Sequence, residues 1–424
     1  MSVAVMIGVL LVLFLINVPI AWALGISSLL TLVIFSDVPL VVVAQRMFTG
    51  TDSFTLIAIP FFLLAGELME KAGISDRLIG LSQALVGHLR GGLANVSVGG
   101  SMMFSAVSGS GIAATAAMGK ITIPAMVKRG YAPAFAVSVQ ATAGAMGIII
   151  PPSIVMILYS VISGASVSDM FIGGIIPGIM MGLALMVTGY VISRRRGYPT
   201  EPRVPTAQLP MRFLRAVPAL LMPVIILAGI LLGVVTATES AVLAVVYAIV
   251  VGAINRKLTW PRLLDALRGT ALSTAMIMLI VANAGVFAWV VTSEGLPRML
   301  AQQLAGIADN PLLVLLICGI ILLIAGMFLD TSAALIILIP VMMPLVMMSG
   351  IDPVHFGVAA VVALAIGLAT PPVGLNLFVA AGIARIDMVK AVGMLLPFVT
   401  ALVAVLALLL FFPPLVLWLP GLFP

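Results

Sequence analysis

The sequence predicts an all-α polytopic membrane protein of two homologous halves, each carrying a helical hairpin and a broken helix. Three observations predict it: a composition that water cannot solvate, a repeat of the helix-breaking residues, and paired interruptions of the apolar pattern. Of 424 residues, 63% are hydrophobic and only 8% are charged. Soluble domains carry about 25% charged residues. The solvent for this surface is therefore lipid, where every backbone polar group must be satisfied internally.

A helical span needs about 20 apolar residues. Candidate segments fall at 3–35, 54–69, 133–161, 170–192, 216–235, 240–254, 270–292, 311–329, 332–348, 353–384 and 389–420. Several are too long or too short for one plain helix, so tilted, broken or hairpin segments are expected. Nothing basic precedes Arg46, and the first apolar run is too long for a signal-peptide core. Segment 3–35 is therefore read as a retained first helix.

The net charge of +6 fits basic loops on the cytoplasmic side and implies no nucleic-acid partner. Arg194, Arg195, Arg196, Arg203, Arg212 and Arg215 mark a basic connector at 193–215, between a first half, 1–192, and a second half, 216–424. Arg256, Lys257, Arg262 and Arg268 form a second basic loop. It reaches the same side if 216–235 and 240–254 both cross, turning at Thr236–Ser240.

The halves are related by a shift of 220 residues. Pro124, Gly130, Pro133, Gly147, Pro151, Pro152 and Pro177 meet Pro344, Gly350, Pro353, Gly367, Pro371, Pro372 and Pro397. Chance would give about one such coincidence. The register then slips by two, so that Gly164, Asp169 and Met170 answer to Gly382, Asp387 and Met388. Upstream, at a shift of 222, Ala72-Gly73-Ile74 resembles Glu294-Gly295-Leu296. An odd number of crossings per half makes these inverted repeats, with both termini periplasmic; an even number makes them parallel.

Two interruptions stand out in each half. The first is Phe104-Ser105-Ala106-Val107-Ser108-Gly109-Ser110-Gly111, matched by Gly326-Met327-Phe328-Leu329-Asp330-Thr331-Ser332. A Ser/Gly run in an apolar stretch either turns a hairpin inside the membrane or forms a small-residue packing face. Asp330 either serves a substrate or ion or caps a helix, and both roles are compatible. The second interruption is Gly147-Ile148-Ile149-Ile150-Pro151-Pro152-Ser153, matched by the break over 367–376, Gly367-Leu368-Ala369-Thr370-Pro371-Pro372-Val373-Gly374-Leu375-Asn376. Adjacent prolines remove two N–H donors and push the residue before them out of helical geometry. The carbonyls just before the prolines are then hard oxygen ligands suited to Na⁺, and the unwound ends place half-helix dipoles in the membrane.

With their neighbours, these motifs ("FSAVSGSGIAATAA", "GIIIPPSIVMILY", "GVVTATESA", "GLATPPVGLNLFVA") resemble the large permease subunit of tripartite ATP-independent periplasmic (TRAP) transporters over essentially the whole chain. The resemblance implies an elevator-type transporter of inverted repeats in the bacterial inner membrane. It implies coupling to Na⁺ with no other cofactor, a small four-helix membrane subunit and a periplasmic substrate-binding protein. Carried over, it puts one Na⁺ site at Ser105, Ser108, Gly147, Ile150 and Pro151, and a second at Gly326, Gly367, Thr370 and Val373. The substrate, an organic acid such as a C4-dicarboxylate, keto acid or sialic acid, is expected near Ser108, Ser110, Ser153 and Asp330. Every arginine is peripheral, so Na⁺, hydroxyls and hairpin-end amides would attract the carboxylate. A self-sufficient Na⁺-coupled carboxylate carrier of the same superfamily is the alternative.

Other chemistry finds little support. An enzyme needs clustered titratable groups at depth, and there are almost none. Cys318 is the only cysteine, so no internal disulfide is possible. His88 and His355 read as separated loop residues, giving no transition-metal site. No nucleotide-binding GxxxxGK[ST] signature occurs. Glu239 reads as a turn acid or as part of the mobile unit. Glu67, Glu70, Lys71, Asp76 and Arg77 flank Gly73 in a surface-lying amphipathic segment. Asn376 either serves the broken helix or joins two helices.

Overall fold

The computed structural model describes residues 2–16, 18–200, 203–295 and 309–423, and every regular element among them is helical. Helix α1 covers Ser2–Leu15 and α2 covers Ile20–Phe35. The single first helix expected over 3–35 is thus two. Pro19, with ψ at 138°, starts α2, and a proline ring cannot continue a preceding helix without clashing with its carbonyls. Helix α3 (Val41–Thr51) and α4 (Ala58–Lys71, preceded by a 3₁₀ turn at Phe54–Ile57) form one span bent by 63°. Sequence reading missed α3 because Gln45, Arg46 and two threonines dilute its apolar pattern.

Gly73, at φ 76°, ends α4 and sends the chain sideways into α5 (Ile74–Val86). Hairpin 1 follows, as α6 (Gly92–Ser108) and α7 (Gly111–Lys128). Then come α8 (Pro133–Ala145), the first break, α9 (Ile154–Ser163) and the long α10 (Val167–Arg196). The second half opens with α11 (Leu209–Leu231), α12 (Ala237–Ile254) and α13 (Trp260–Ser293). Hairpin 2 is α14 (Pro311–Phe328) with α15 (Thr331–Met348). Helix α16 (Pro353–Ala369), the second break, α17 (Leu375–Ala384), α18 (Val389–Phe411) and the short α19 (Pro414–Leu417) complete it.

The element order therefore repeats. Gly73 and Gly295, at φ 76° and 71°, occupy equivalent left-handed turns after α4 and α13. Leu296 lies outside the described residues. The register slip differs from the sequence reading. Gly164 and Arg385 hold the left-handed caps of α9 and α17, so Gly382, inside α17, is not the counterpart of Gly164. Helices α10 and α11 also reach into the basic connector, with Arg194–Arg196 in the last turn of α10, where cations oppose the negative end of the helix dipole.

Among the described residues, seven helices are long and apolar enough to cross a membrane, or eight with the bent pair counted as one more. Helices α1 to α4 and α11 to α13 pack on one another as one group, and the hairpins, broken helices, α10 and α18 form a second. The second group is interlaced: α9 of the first half packs on α15 of hairpin 2, and α17 of the second half packs on α7 of hairpin 1.

Candidate functional site

In the first half the chain turns at Gly109 and Ser110, between two helices that point the same residues toward the first break. Ser110 is the N-cap of α7, its side chain accepting from the Ala113 N–H at 3.4 Å. Ser108 Oγ lies 3.4 Å from both the N and the O of Ser110, so hydroxyl and tip backbone fold onto each other. The break covers residues 149–153. Pro151 and Pro152 have no N–H to offer the carbonyls of Gly147 and Ile148. The Ser153 hydroxyl donates to the Ile148 carbonyl at 2.6 Å. The Gly147 carbonyl receives no main-chain hydrogen bond among the described residues. The tip rests directly on this break: a Cβ on Gly147 would sit 2.5 Å from the Ser110 carbonyl oxygen, and one on Gly109 would sit 2.7 Å from that of Pro152.

The second half repeats this with variations. Asp330 is the N-cap of α15, its carboxylate accepting from the Ser332 N–H at 2.9 Å. The capping reading of this acid therefore holds, and the carboxylate is only partly buried at the hairpin tip. The break runs from Thr370 to Gly374. Both breaks contain a cis bond between their prolines. Here the Thr370 N–H reaches the Gly367 carbonyl at 2.9 Å, so that oxygen, unlike that of Gly147, already accepts one hydrogen bond. Thr370 Oγ1 donates to the Ile366 carbonyl at 2.6 Å. Hairpin and break are joined through backbone: the Val373 N–H donates to the Met327 carbonyl at 3.1 Å. A Cβ on Gly367 would lie 2.5 Å from the carbonyl carbon of Gly326.

Each half thus seats a hairpin against an unwound, proline-bearing stretch, and two glycines permit each contact. A family model described as "Tripartite ATP-independent periplasmic transporter, DctM component" matches residues 7–415. The chain belongs to that family.

The curated relatives named here are TRAP transporter permeases. This permease is 40% identical over 400 residues to the C4-dicarboxylate TRAP transporter large permease protein DctM of Pseudomonas aeruginosa, covering 94% of each chain. It is 38% identical over 408 residues to the sialic acid TRAP transporter large permease protein SiaM of Vibrio cholerae, covering 96% of each. It is 41% identical to the isethionate TRAP transporter permease protein DctMQ of Oleidesulfovibrio alaskensis, of whose length it spans 64%. Among solved structures, the YdaH transporter of Alcanivorax borkumensis superposes with a TM-score of 0.64 at 16% identity, covering 90% of this chain and 88% of that one. That likeness speaks to the fold alone.

Within the permease, the serines expected around the first ion lie in hairpin 1. Ser105 is fully buried and donates to the Ser101 carbonyl at 2.6 Å, and Ser108 lies at the tip above the break. Ser153 is also fully buried; its hydroxyl donates to Ile148 and accepts from the Met156 N–H at 3.3 Å, so these partners lie within the break and the first turn of α9. No hydrogen bond among the described residues joins Asp330 to the serines of hairpin 1.

Three side chains take roles that sequence reading left open or missed. Asn376 is fully buried and donates to the Ala141 carbonyl at 3.3 Å, joining the second broken helix to the first. His355 is not a loop residue. Asp352 caps α16 and accepts from its N–H, and the buried ring lies 2.8 Å from the Leu409 carbonyl. The Asp352-Pro353 start of a helix was the available signal. Gln140, fully buried in α8, bridges both arms of hairpin 1.

Glu239 caps a helix at this turn. It forms a capping box with Thr236, accepting from that N–H at 2.8 Å while its own N–H donates back to Thr236 Oγ1 at 3.2 Å. Glu239→Gln retains an acceptor for that box, so uptake by this variant is expected to equal wild type in a transport assay. A loss of coupling without loss of folded protein would put Glu239 back in the moving machinery.

Proposed function

We propose that the permease is a Na⁺-coupled secondary transporter of the bacterial inner membrane that imports organic acids delivered by a periplasmic binding protein, together with a small membrane subunit. The observation that carries this reading is the doubled junction of hairpin and unwound helix, in the first of which the Gly147 carbonyl accepts no main-chain hydrogen bond among the described residues. Broken helices at membrane depth are where transporters place ion and substrate sites. The first Na⁺ binds at Ser105, Ser108, Gly147, Ile150 and Pro151. The second binds at Gly326, Gly367, Thr370 and Val373. Substrate docks between the tips, near Ser108, Ser110, Ser153 and Asp330. The relatives' named cargoes (C4-dicarboxylates, sialic acid, isethionate) are all organic anions, which supports that substrate class.

Movement of the hairpin unit against the α1–α4 and α11–α13 group supplies alternating access. A cavity of about 220 Å³ along this boundary supports it. Gly50, Leu56, Ala284 and Gly285 line one side, with Leu158 and Ile336 on the other. Among the described residues its lining is entirely apolar. The crossing count supports inverted repeats. Taking α1, α2, the α3–α4 pair, α8–α9 and α10 as crossings gives five in the first half. Helices α11, α12, α13, α16–α17 and α18 give five in the second, and an odd number inverts the second half.

The test is uptake of labelled organic acids by proteoliposomes holding the permease with and without its membrane subunit, under a Na⁺ or K⁺ gradient, with and without binding protein. Uptake that needs Na⁺ and both partners, and no ATP, is expected. Na⁺-driven uptake by the permease alone would instead identify a self-sufficient carrier. Ser108→Ala and Asp330→Ala are each expected to reduce uptake at least about tenfold, equivalent to ~1.4 kcal/mol, with normal expression. Wild-type rates in both would remove these residues from the site.

A further inference from the structure

A second cavity, lined by charged side chains, lies away from the hairpin tips. Its volume is about 610 Å³, and it is lined by Asp76, Arg77 and Gly80 of α5 and by Arg212 and Arg215 of α11. Three guanidiniums face one carboxylate, a surplus of two positive charges. None is neutralised by an acid: the ion pair formed among the described residues is Lys71 with Asp265. Neutral acceptors hold two of them instead. Arg77 donates to Asn255 Oδ1 at 2.6 Å and to the Arg215 carbonyl at 3.5 Å. Arg212 donates to the Gly80 carbonyl at 3.2 Å and to Gln83 Oε1 at 3.5 Å. The Arg215 side chain makes no hydrogen bond among the described residues and is exposed. Each guanidinium has five N–H donors, so most remain available. Ordered arginine forks with unmet charge select a tetrahedral oxyanion such as phosphate.

The surroundings identify the source of that phosphate. Arg212 and Arg215 sit in the first turns of α11, at the end of an apolar span running to Leu231. On the same turns Met211, Phe213 and Leu214 are 54%, 53% and 64% exposed, and Leu85 at the end of α5 is 52% exposed. A free anion needs no apolar collar, whereas a lipid brings its acyl chains to one. The neighbouring basic residues Arg194–Arg196 and Arg256–Lys257 put this end on the cytoplasmic side.

We propose that the cavity between α5 and α11 binds the phosphate headgroup of an anionic phospholipid. Helix α5 packs on hairpin 1 through α6 and on α11 of the other helix group, so the lipid sits where the two groups are joined.

The test uses detergent-purified permease, together with any subunit that co-purifies. It is titrated with dioleoylphosphatidylglycerol, with dioleoylphosphatidylcholine of the same chains, and with inorganic phosphate or glycerol 3-phosphate. Native mass spectrometry counts bound lipid, and thermal melting reads stabilisation. Phosphatidylglycerol is expected to bind and raise the melting temperature, and phosphatidylcholine to do so at least tenfold more weakly. In Arg212→Gln/Arg215→Gln the preference should vanish, while Arg262→Gln/Arg268→Gln, which removes the same charge elsewhere, should retain it. Arg215→Glu, which breaks no internal side-chain bond, should weaken phosphatidylglycerol at least tenfold without loss of fold. Equal binding of the two lipids by the wild type, or an unchanged preference in both Arg215 variants, overturns the proposal. Equal stabilisation by inorganic phosphate overturns the lipid assignment.

Discussion

Gly147→Ala and Gly367→Ala are each expected to reduce Na⁺-dependent uptake at least about tenfold, or ~1.4 kcal/mol of lost binding, with the protein still inserted. The new methyl groups meet backbone rather than side chains. At Gly147 the Cβ would lie 2.5 Å from the Ser110 oxygen and 2.8 Å from the Gly111 Cα; at Gly367 it would lie 2.6 Å from the Gly326 Cα and 2.8 Å from the Leu323 oxygen. Backbone cannot rotate away, so the hairpin must lift from its break. Overpacking of this kind costs about 1–3 kcal/mol. It would also separate the carbonyls and hydroxyls proposed to share an ion. Gly393→Ala in α18 is the control, because a Cβ there meets nothing within 4 Å. Na⁺ titration of uptake reads the result. A raised Na⁺ requirement in the two junction variants, with Gly393→Ala unchanged, ties the contact to ion binding. Unchanged Na⁺ dependence in both would show that the tips need not touch the breaks.

Those junctions were legible in the sequence because their signals are local. Proline removes a donor and glycine removes a side chain wherever they occur. Gly147, Pro151 and Pro152, matched by Gly367, Pro371 and Pro372, therefore marked the two breaks before any packing was known. Ser108 to Gly111 marked the hairpin turn for the same reason. What remained hidden depends on neighbours distant in the chain. Helix α3 is too polar to stand out alone, yet its exposed Arg46 lies over the Trp289 ring at 5.2 Å from the centroid, a contact that ties α3 to α13. His355 looked like a loop residue until α18 supplied the Leu409 carbonyl. The interlacing of α9 with α15 and α17 with α7 has no sequence signature, because apolar faces do not name their partners. The Gly164 counterpart was misplaced because Arg385 takes the left-handed cap, at φ 54°, a conformation usually left to glycine or asparagine.

Gln140 is the clearest residue that only packing reveals, and replacing it with leucine should destabilise the permease by roughly 1–3 kcal/mol, the cost of leaving buried polar groups unpaired. Its Oε1 accepts from Ser97 Oγ at 2.5 Å and Thr122 Oγ1 at 3.0 Å, and its Nε2 donates to Ser101 Oγ at 3.2 Å and the Ala114 carbonyl at 3.4 Å. Ser97 and Ser101 belong to α6, Thr122 and Ala114 to α7, so one amide in α8 ties both hairpin arms to the first broken helix. Thr142, two residues on and equally buried, bonds only its own helix among the described residues, through Ser138 and Val139. Thr142→Val should therefore cost much less, and thermal melting in one detergent compares the two. If the amide acts by clamping the hairpin, Ser97→Ala combined with Gln140→Leu should cost less than the sum of the single changes, because contacting partners are coupled. Strict additivity would mean that hairpin 1 is held by apolar packing, with the amide merely accommodated. Sub-additivity would mean that hairpin and broken helix are locked by a polar clamp, which is what an ion site assembled from both requires if they are to move as one body.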